Sequence, residues 1–192
     1  MMADAPVDRR EFFSQGFKKF FGKAVEVIEH RVAPGLYVRP PGALPEAAFL
    51  GACTRCGECT ARCPVHAISP LGPETGLASG TPHLKPDLNA CVMCLDMPCA
   101  QYCPTDALAV PDDGWRRVKM ARIEIDTERC IAYHDQECGV CAQVCPAGYE
   151  AIHLNEWGQP QLGDRCTGCG TCVIACVTTP KSILITPVGS YS

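Results

Sequence analysis

The sequence is poor in the side chains that ordinarily build a core. Leu, Ile, Val and Phe number 41 of 192 residues, near the composition at which hydrophobic folding alone fails. Aromatic residues make up only 7%. No apolar run approaches the roughly 18 residues needed to cross a bilayer. Basic residues are not in excess: 17 Lys and Arg stand against 21 Asp and Glu, for a formal charge of −4. That balance lacks the electrostatic footprint of a nucleic-acid binder. There is no Ser-His-Asp set, phosphate loop or dinucleotide fingerprint, which speaks against hydrolase, kinase and dehydrogenase chemistry. A chain so short of large apolar groups needs other cohesion, such as disulfides or bound metal.

What is abundant is cysteine, 16 residues, with glycine and proline at 17 each. The cysteines fall into four groups of four: Cys53, Cys56, Cys59, Cys63; Cys91, Cys94, Cys99, Cys103; Cys130, Cys138, Cys141, Cys145; and Cys166, Cys169, Cys172, Cys176. The first and last groups read C-x2-C-x2-C-x3-C. The middle two stretch one gap, to four and to seven residues. Disulfides within such tight bunches would close tiny loops and hold little together. Zinc sites usually separate two CxxC pairs by a longer finger. The third reading is iron–sulfur: the bacterial ferredoxin run is C-x2-C-x2-C-x3-C-P, whose fourth cysteine ligates the other cluster of a pair. Iron–sulfur is the reading we adopt, with all sixteen cysteines as metal ligands and four [4Fe–4S] clusters as cofactors.

The residue types fit that chemistry. Small residues between the thiols (Gly57, Thr167, Gly168, Gly170) let the backbone approach a cube and aim amides at its sulfurs. Pro64, Pro104 and Pro146 come directly after the fourth cysteine of their groups and end the turn. The last group departs: Val177 stands after Cys176.

The first cysteines of the groups lie at 53, 91, 130 and 166, a regular internal repeat. Each unit reads as short strand, cysteine loop, a turn or two of helix, short strand. The expected class is α+β, with bacterial-type 2[4Fe–4S] ferredoxin-like modules, tandem or nested, behind an N-terminal amphipathic helix. Crossover of the fourth thiol makes the groups work in pairs. Because the outer groups share one spacing and the inner groups another, we favour nesting over sequential pairing. Nesting gives the sets Cys53, Cys56, Cys59 with Cys176; Cys166, Cys169, Cys172 with Cys63; Cys91, Cys94, Cys99 with Cys145; and Cys130, Cys138, Cys141 with Cys103. The expected boundaries are a helix at 1–34, a Pro/Gly-rich linker at 35–50 and a four-cluster domain at 51–187. Within that domain, an outer module joins 51–90 with 155–187, and an inner module spans 91–154.

The stretches "RPPGA" (39–43), "CTRCGECTARCP" (53–64), "GTP" (80–82), "CVMCLDMPCAQYCPTDAL" (91–108), "CIAYHDQECGVCAQVCP" (130–146) and "CTGCGTCVIAC" (166–176) resemble the polyferredoxins of the MauM/NapG type and the related NapF type. The similarity covers about residues 39–187. Its motifs are specific for a four-cluster ferredoxin and much less so for one pathway, since iron–sulfur subunits of molybdenum and tungsten oxidoreductases share the arrangement. The resemblance implies an electron carrier rather than an enzyme, passing electrons from a membrane or cytoplasmic donor to a partner oxidoreductase. Its alternative implication is a maturation factor for a molybdenum-type reductase, with the clusters serving assembly.

Five histidines occur: His30, His66, His83, His134 and His153. Since no cysteine is missing, they read as structural. Met93 and Met97 read as apolar cover, and Tyr102 and Tyr133 as packing. Full cysteine ligation leaves no iron open to substrate. In the N-terminal stretch, Arg9 and Arg10 suggest a twin-arginine export signal, but such a signal needs 7–15 apolar residues after them. Lys18, Lys19, Lys23, Glu26 and Glu29 interrupt that stretch. On a helix, Phe13, Phe17, Phe20, Phe21, Ala24, Val27 and Ile28 instead form one apolar stripe. The stripe covers either its own domain, a redox partner or a membrane surface. The expected location is cytoplasmic, with association at a membrane surface open; periplasmic export is the alternative.

Overall fold

The structure, a computed structural model, describes residues 37–188. The expected amphipathic helix lies outside the described residues. Five helices of four to seven residues alternate with six short strands: α1 (Glu46–Ala52), α2 (Glu58–Arg62), β1 (Ile68–Pro70), β2 (Pro82–Leu84), α3 (Pro98–Gln101), β3 (Ala121–Ile125), α4 (Val140–Gln143), β4 (Ile152–Leu154), β5 (Pro160–Leu162), α5 (Thr171–Ala175) and β6 (Ile183–Pro187). Helices this short do not persist alone. They are held where cysteine loops and hairpins pin both ends.

The strands pair in two repeats of one scheme. In the second half, β3 and β6 flank the third and fourth cysteine groups and pair antiparallel, Ile123 opposite Ile185. Between those groups, β4 and β5 form a hairpin with Ile152 opposite Leu162. The first half repeats this. The hairpin β1–β2 sets Ile68 opposite Leu84. A bridge between Ala43 and Leu108 takes the place of the β3–β6 ribbon, with Leu44 N–H donating to Ala107 O at 3.0 Å and Ala109 N–H to Gly42 O at 2.8 Å.

This topology corrects the expected nesting. Groups one and two share one module and groups three and four share the next. The reason is the hairpin within each module. Five residues join β4 to β5, and Asn155 Oδ1 fixes their turn by accepting from Trp157 N–H (3.0 Å) and Gln159 N–H (2.9 Å). The antiparallel pairing of β4 with β5 folds the chain back and sets the groups on either side of the hairpin into one module. Nesting would instead have to close loops running around an entire inner module.

The expected linker at 35–50 is also corrected. From Val38 onward it is part of the first module. Phe49 is fully buried, and Arg39 and Glu46 are 8% and 6% exposed. Arg39 Nε donates to Glu46 Oε2 at 2.8 Å, while Nη1 donates to Thr81 Oγ1 (3.0 Å) and Pro82 O (2.7 Å). Its guanidinium lies 4.7 Å from the Phe49 ring centroid. The prolines and glycine that suggested a linker instead shape a bend around this ion pair.

The two modules meet within one compact unit. Met120 N–H donates to Thr167 O (2.8 Å) and Cys91 N–H to Cys169 O (3.1 Å). Lys119 Nζ donates to Cys166 O at 2.7 Å and also to Asp164 O.

Candidate metal centres

The sixteen cysteines are all free of disulfides, and they surround four voids. Site I is bounded by Cys53, Cys56, Cys59 and Cys103. Site II has Cys91, Cys94, Cys99 and Cys63. Site III has Cys166, Cys169, Cys172 and Cys145. Site IV has Cys130, Cys138, Cys141 and Cys176. The three cysteines of one group thus receive the fourth from the sister group of the same module. The four nested sets expected from the spacing are not formed: Cys176 meets Cys130, not Cys53, and Cys63 meets Cys91, not Cys166. The cysteines that surround the voids are those the spacing marked; their grouping differs.

The backbone explains how each loop turns its thiols inward. Arg55, Met93 and Gly168, each just before the second cysteine of its group, have positive φ (58°, 54° and 72°). Alternation of this kind turns successive N–H groups into a concave surface that suits anionic sulfur. A second positive-φ residue, Gly57, Met97 or Gly170, precedes the helix that carries the third cysteine. That helix delivers the fourth thiol one turn later on another side. A third such position, three residues after the fourth cysteine, is occupied by His66, Asp106 and Gly148. The last group breaks this pattern. Val177 replaces the proline, and Thr179–Pro180 is cis.

The donor set fits cubane clusters. Sites II, III and IV are small voids of about 20 Å³ each. Site I is larger, about 350 Å³, and is lined by Cys56, the one exposed cysteine of the sixteen. Among the described residues, no three His, Cys, Asp or Glu side chains are arranged to hold a single metal ion. The linings are apolar: Ile68, Leu84 and Met97 at site II, Ile123 and Ile152 at site III, Ile125, Ile131 and Ile183 at site IV. Burial pushes Cys91, Cys99 and Cys172 up to about 12, and Cys59 and Cys141 up to about 11. These thiolates need a compensating cation, and binding iron must release their protons.

Several sulfurs carry hydrogen bonds. Ala67 N–H donates to Cys63 Sγ (3.3 Å) and Leu108 N–H to Cys103 Sγ (3.4 Å). Cys176 Sγ lies 3.2 Å from Ser182 Oγ and 3.3 Å from Thr178 Oγ1. Burial acts upward on Cys176, but these hydrogen bonds outweigh it and bring the thiol down to about 7. Cys94 is raised by burial first and by the Asp96 carboxylate second.

Three histidines find partners other than sulfur. His83 Nδ1 meets Ser69 O (2.8 Å), His134 Nε2 meets Glu128 O (2.9 Å) and His153 stacks on Tyr149 at 4.7 Å. Met97 covers site II as expected. Met93 accepts a hydrogen bond from Thr167 Oγ1 (3.4 Å) across the junction between modules. The Arg39–Glu46 pair and the Trp115 indole, which donates to Cys94 O at 2.9 Å, carried no sequence signal, because their partners are backbone groups or distant residues.

The sites form a row. Helix α2 carries Cys59 of site I and leads into Cys63 of site II; α3 carries Cys99 of site II and leads into Cys103 of site I. α4 and α5 couple sites III and IV in the same way. The Cys91–Cys169 backbone bond joins site II to site III. The order is I, II, III, IV.

Comparison with known proteins agrees with this geometry. Residues 52–107 and residues 122–177 each match a 4Fe-4S dicluster domain family, which divides the cysteines as the fold does. The chain is 36% identical to the methylamine utilization ferredoxin-type protein MauM of Methylophilus methylotrophus, over 95% of this chain and 88% of that protein. It is 35% identical to the ferredoxin-type protein NapG of Escherichia coli, over 81% of this chain and 73% of that one. It is 29% identical to the polyferredoxin-like subunit of an aliphatic sulfonate oxidoreductase from Pyrococcus furiosus, over 72% and 75%.

Proposed function

The chain belongs to the family of ferredoxin-type proteins that includes MauM and NapG, carriers in electron transport rather than enzymes, and from that premise we propose that it relays single electrons through four [4Fe–4S] clusters between a donor and a partner oxidoreductase. The observation that carries this reading is the unbroken row of four cysteine-bounded sites, with crossover ligands inside each module and the Cys91–Cys169 bond between modules.

When bound, a [4Fe–4S] cluster supplies a one-electron centre whose potential is set by charge, hydrogen bonds and solvent exposure. This chain's own residues set those conditions. Four thiolates per site complete the ligand set and leave no position for substrate. Isoleucine, leucine and methionine linings exclude water. Amides of Ala67 and Leu108 hold two of the crossover sulfurs in place. At one end of the row, Cys56 and Arg55 are exposed, which suits exchange with a docked redox protein.

The test is a count and then a reduction. Anaerobically purified protein is expected to hold about sixteen iron and sixteen sulfide per chain, as four such clusters require. Dithionite should produce interacting signals of reduced [4Fe–4S] centres by electron paramagnetic resonance. A chain holding zinc, or clusters that no reductant reaches, overturns the reading.

A further inference from the structure

The fourth cysteines of the four groups differ in the residue two positions downstream. It is Val65 for Cys63 of site II and Ala147 for Cys145 of site III, whereas it is Thr105 for Cys103 of site I and Thr178 for Cys176 of site IV. The hydroxyl reaches sulfur differently at the two ends. Thr105 Oγ1 stands 3.9 Å from Cys103 Sγ, and Thr178 Oγ1 stands 3.3 Å from Cys176 Sγ. Cys176 also has a second hydroxyl, Ser182 Oγ, at 3.2 Å. Ser182 is 2% exposed, so water does not compete for it.

A sulfur that ligates iron carries no proton, so both hydroxyls must be the donors. Their arrangement leaves their protons free for that. Thr178 Oγ1 accepts from Ser182 N–H at 2.8 Å, which turns its own O–H away from that amide and toward the sulfur. At site III the comparable hydroxyl, Thr171 Oγ1, sits 3.5 Å from Cys169 Sγ but also donates to Cys91 O at 3.3 Å. It has one proton for two acceptors. Lys181 adds positive charge at site IV by donating to Cys176 O and to Ile174 O (3.1 Å). The segment "TTPKS" (178–182) thus replaces the proline turn of the other groups with donors.

The geometry points to Ser182 and Thr178 as positioning residues that raise the reduction potential of site IV above the other three, so that electrons in the row collect at that end. Donors to sulfur stabilise the reduced, more negative state over the oxidised one. No bond is made or broken on the chain. Each electron gained is one lost by a low-potential one-electron donor. This inference rests on the four-cluster reading above and names where its electrons settle.

The experiment is a potentiometric titration of the full-length holoprotein monitored by electron paramagnetic resonance, with iron counted in each sample. In Ser182→Ala the step of highest potential should fall while the other three stay. The expected change is about tenfold in reduced-to-oxidised ratio at fixed potential, or 59 mV for one electron. Thr178→Val should move the same step, and Thr178→Ser, which keeps the hydroxyl, should restore it. Movement of a lower step, or of none, overturns the inference. So does loss of iron from both Ser182→Ala and Thr178→Val, since the hydroxyls would then serve assembly. A wild-type protein with fewer than four reducible centres overturns the four-cluster reading instead, before any variant is made.

Discussion

Arg39 places a permanent charge inside a chain with few large apolar side chains, and the arrangement is tolerable because every face of the guanidinium is used. Glu46 takes the charge, Thr81 and Pro82 take hydrogen bonds, and Phe49 takes the flat face. A buried pair of this kind contributes little over an apolar replacement, but breaking one partner leaves an uncompensated charge at a cost of about 3–5 kcal/mol. Glu46→Gln is therefore expected to destabilise the holoprotein by that amount, and Arg39→Met/Glu46→Leu to recover most of it. Chemical unfolding read by cluster absorbance and circular dichroism together checks both. The contrast with the cysteines shows what was legible at this scale. The sixteen cysteines that converge on the four voids were readable because a cube demands thiols at fixed local spacing, and spacing is written in the chain. Arg39 and Thr81 are 42 residues apart, and nothing local in either position announces the other.

At the scale of elements, the cysteine loop and its short helix were legible because their signals are local: cysteine spacing, glycines and the prolines after Cys63, Cys103 and Cys145. The strands expected before group one and after group two are instead the helix α1 and a single bridge at Leu108. The pairing of units was not legible. Similar spacing in the outer groups suggests that like halves join, yet spacing within a group says how thiols reach one cube, not which group lies alongside. The deciding element is the hairpin between groups, whose turn at Asn155 carries no cysteine. Linker composition misleads for a related reason: Pro40 and Pro41 are fully buried and shape a packed bend. Glycines of the cysteine loops also divide by element. Gly57 lines site I, a Cβ there would meet no protein atom within 4 Å, and its φ of +81° is a backbone constraint of its own. Gly170 has φ +88° and also crowds the other module, since a Cβ would lie 2.2 Å from Pro86 Cβ. Gly57→Ala should cost about 1–2 kcal/mol from its backbone alone. Gly170→Ala should cost clearly more and open the junction between modules, measured as faster limited proteolysis between residues 108 and 121. Equal losses in the two variants would mean that Pro86 gives way and that the junction tolerates a side chain.

At the scale of the whole molecule, the row explains both how so poor a core coheres and what each centre contributes. Helices of four to seven residues and three two-stranded sheets do not fold on apolar burial alone; the cysteine sites are where their ends converge, so metal binding carries folding free energy here. Because each crossover cysteine ties two sites of one module, losing a ligand acts on its own site first and on the module second. This separates interior from terminal positions. Cys94 belongs to site II, inside the row, and Cys56 belongs to site I, at its exposed end. Replacing either with serine should lower iron by about four atoms per chain. The effects on flow should differ. With Cys94→Ser, sites III and IV stay reducible by dithionite, but an electron given at site I no longer reaches them, because the row is cut at site II. With Cys56→Ser, sites II, III and IV remain connected, and only exchange at the exposed end is lost. Rapid-freeze electron paramagnetic resonance after mixing with a reduced protein donor distinguishes the two. With the protein donor, site I should become reduced while sites III and IV stay oxidised in Cys94→Ser, whereas no site should become reduced in Cys56→Ser. If Cys94→Ser passes electrons to site IV as fast as the unaltered chain, the sites do not work as a single path.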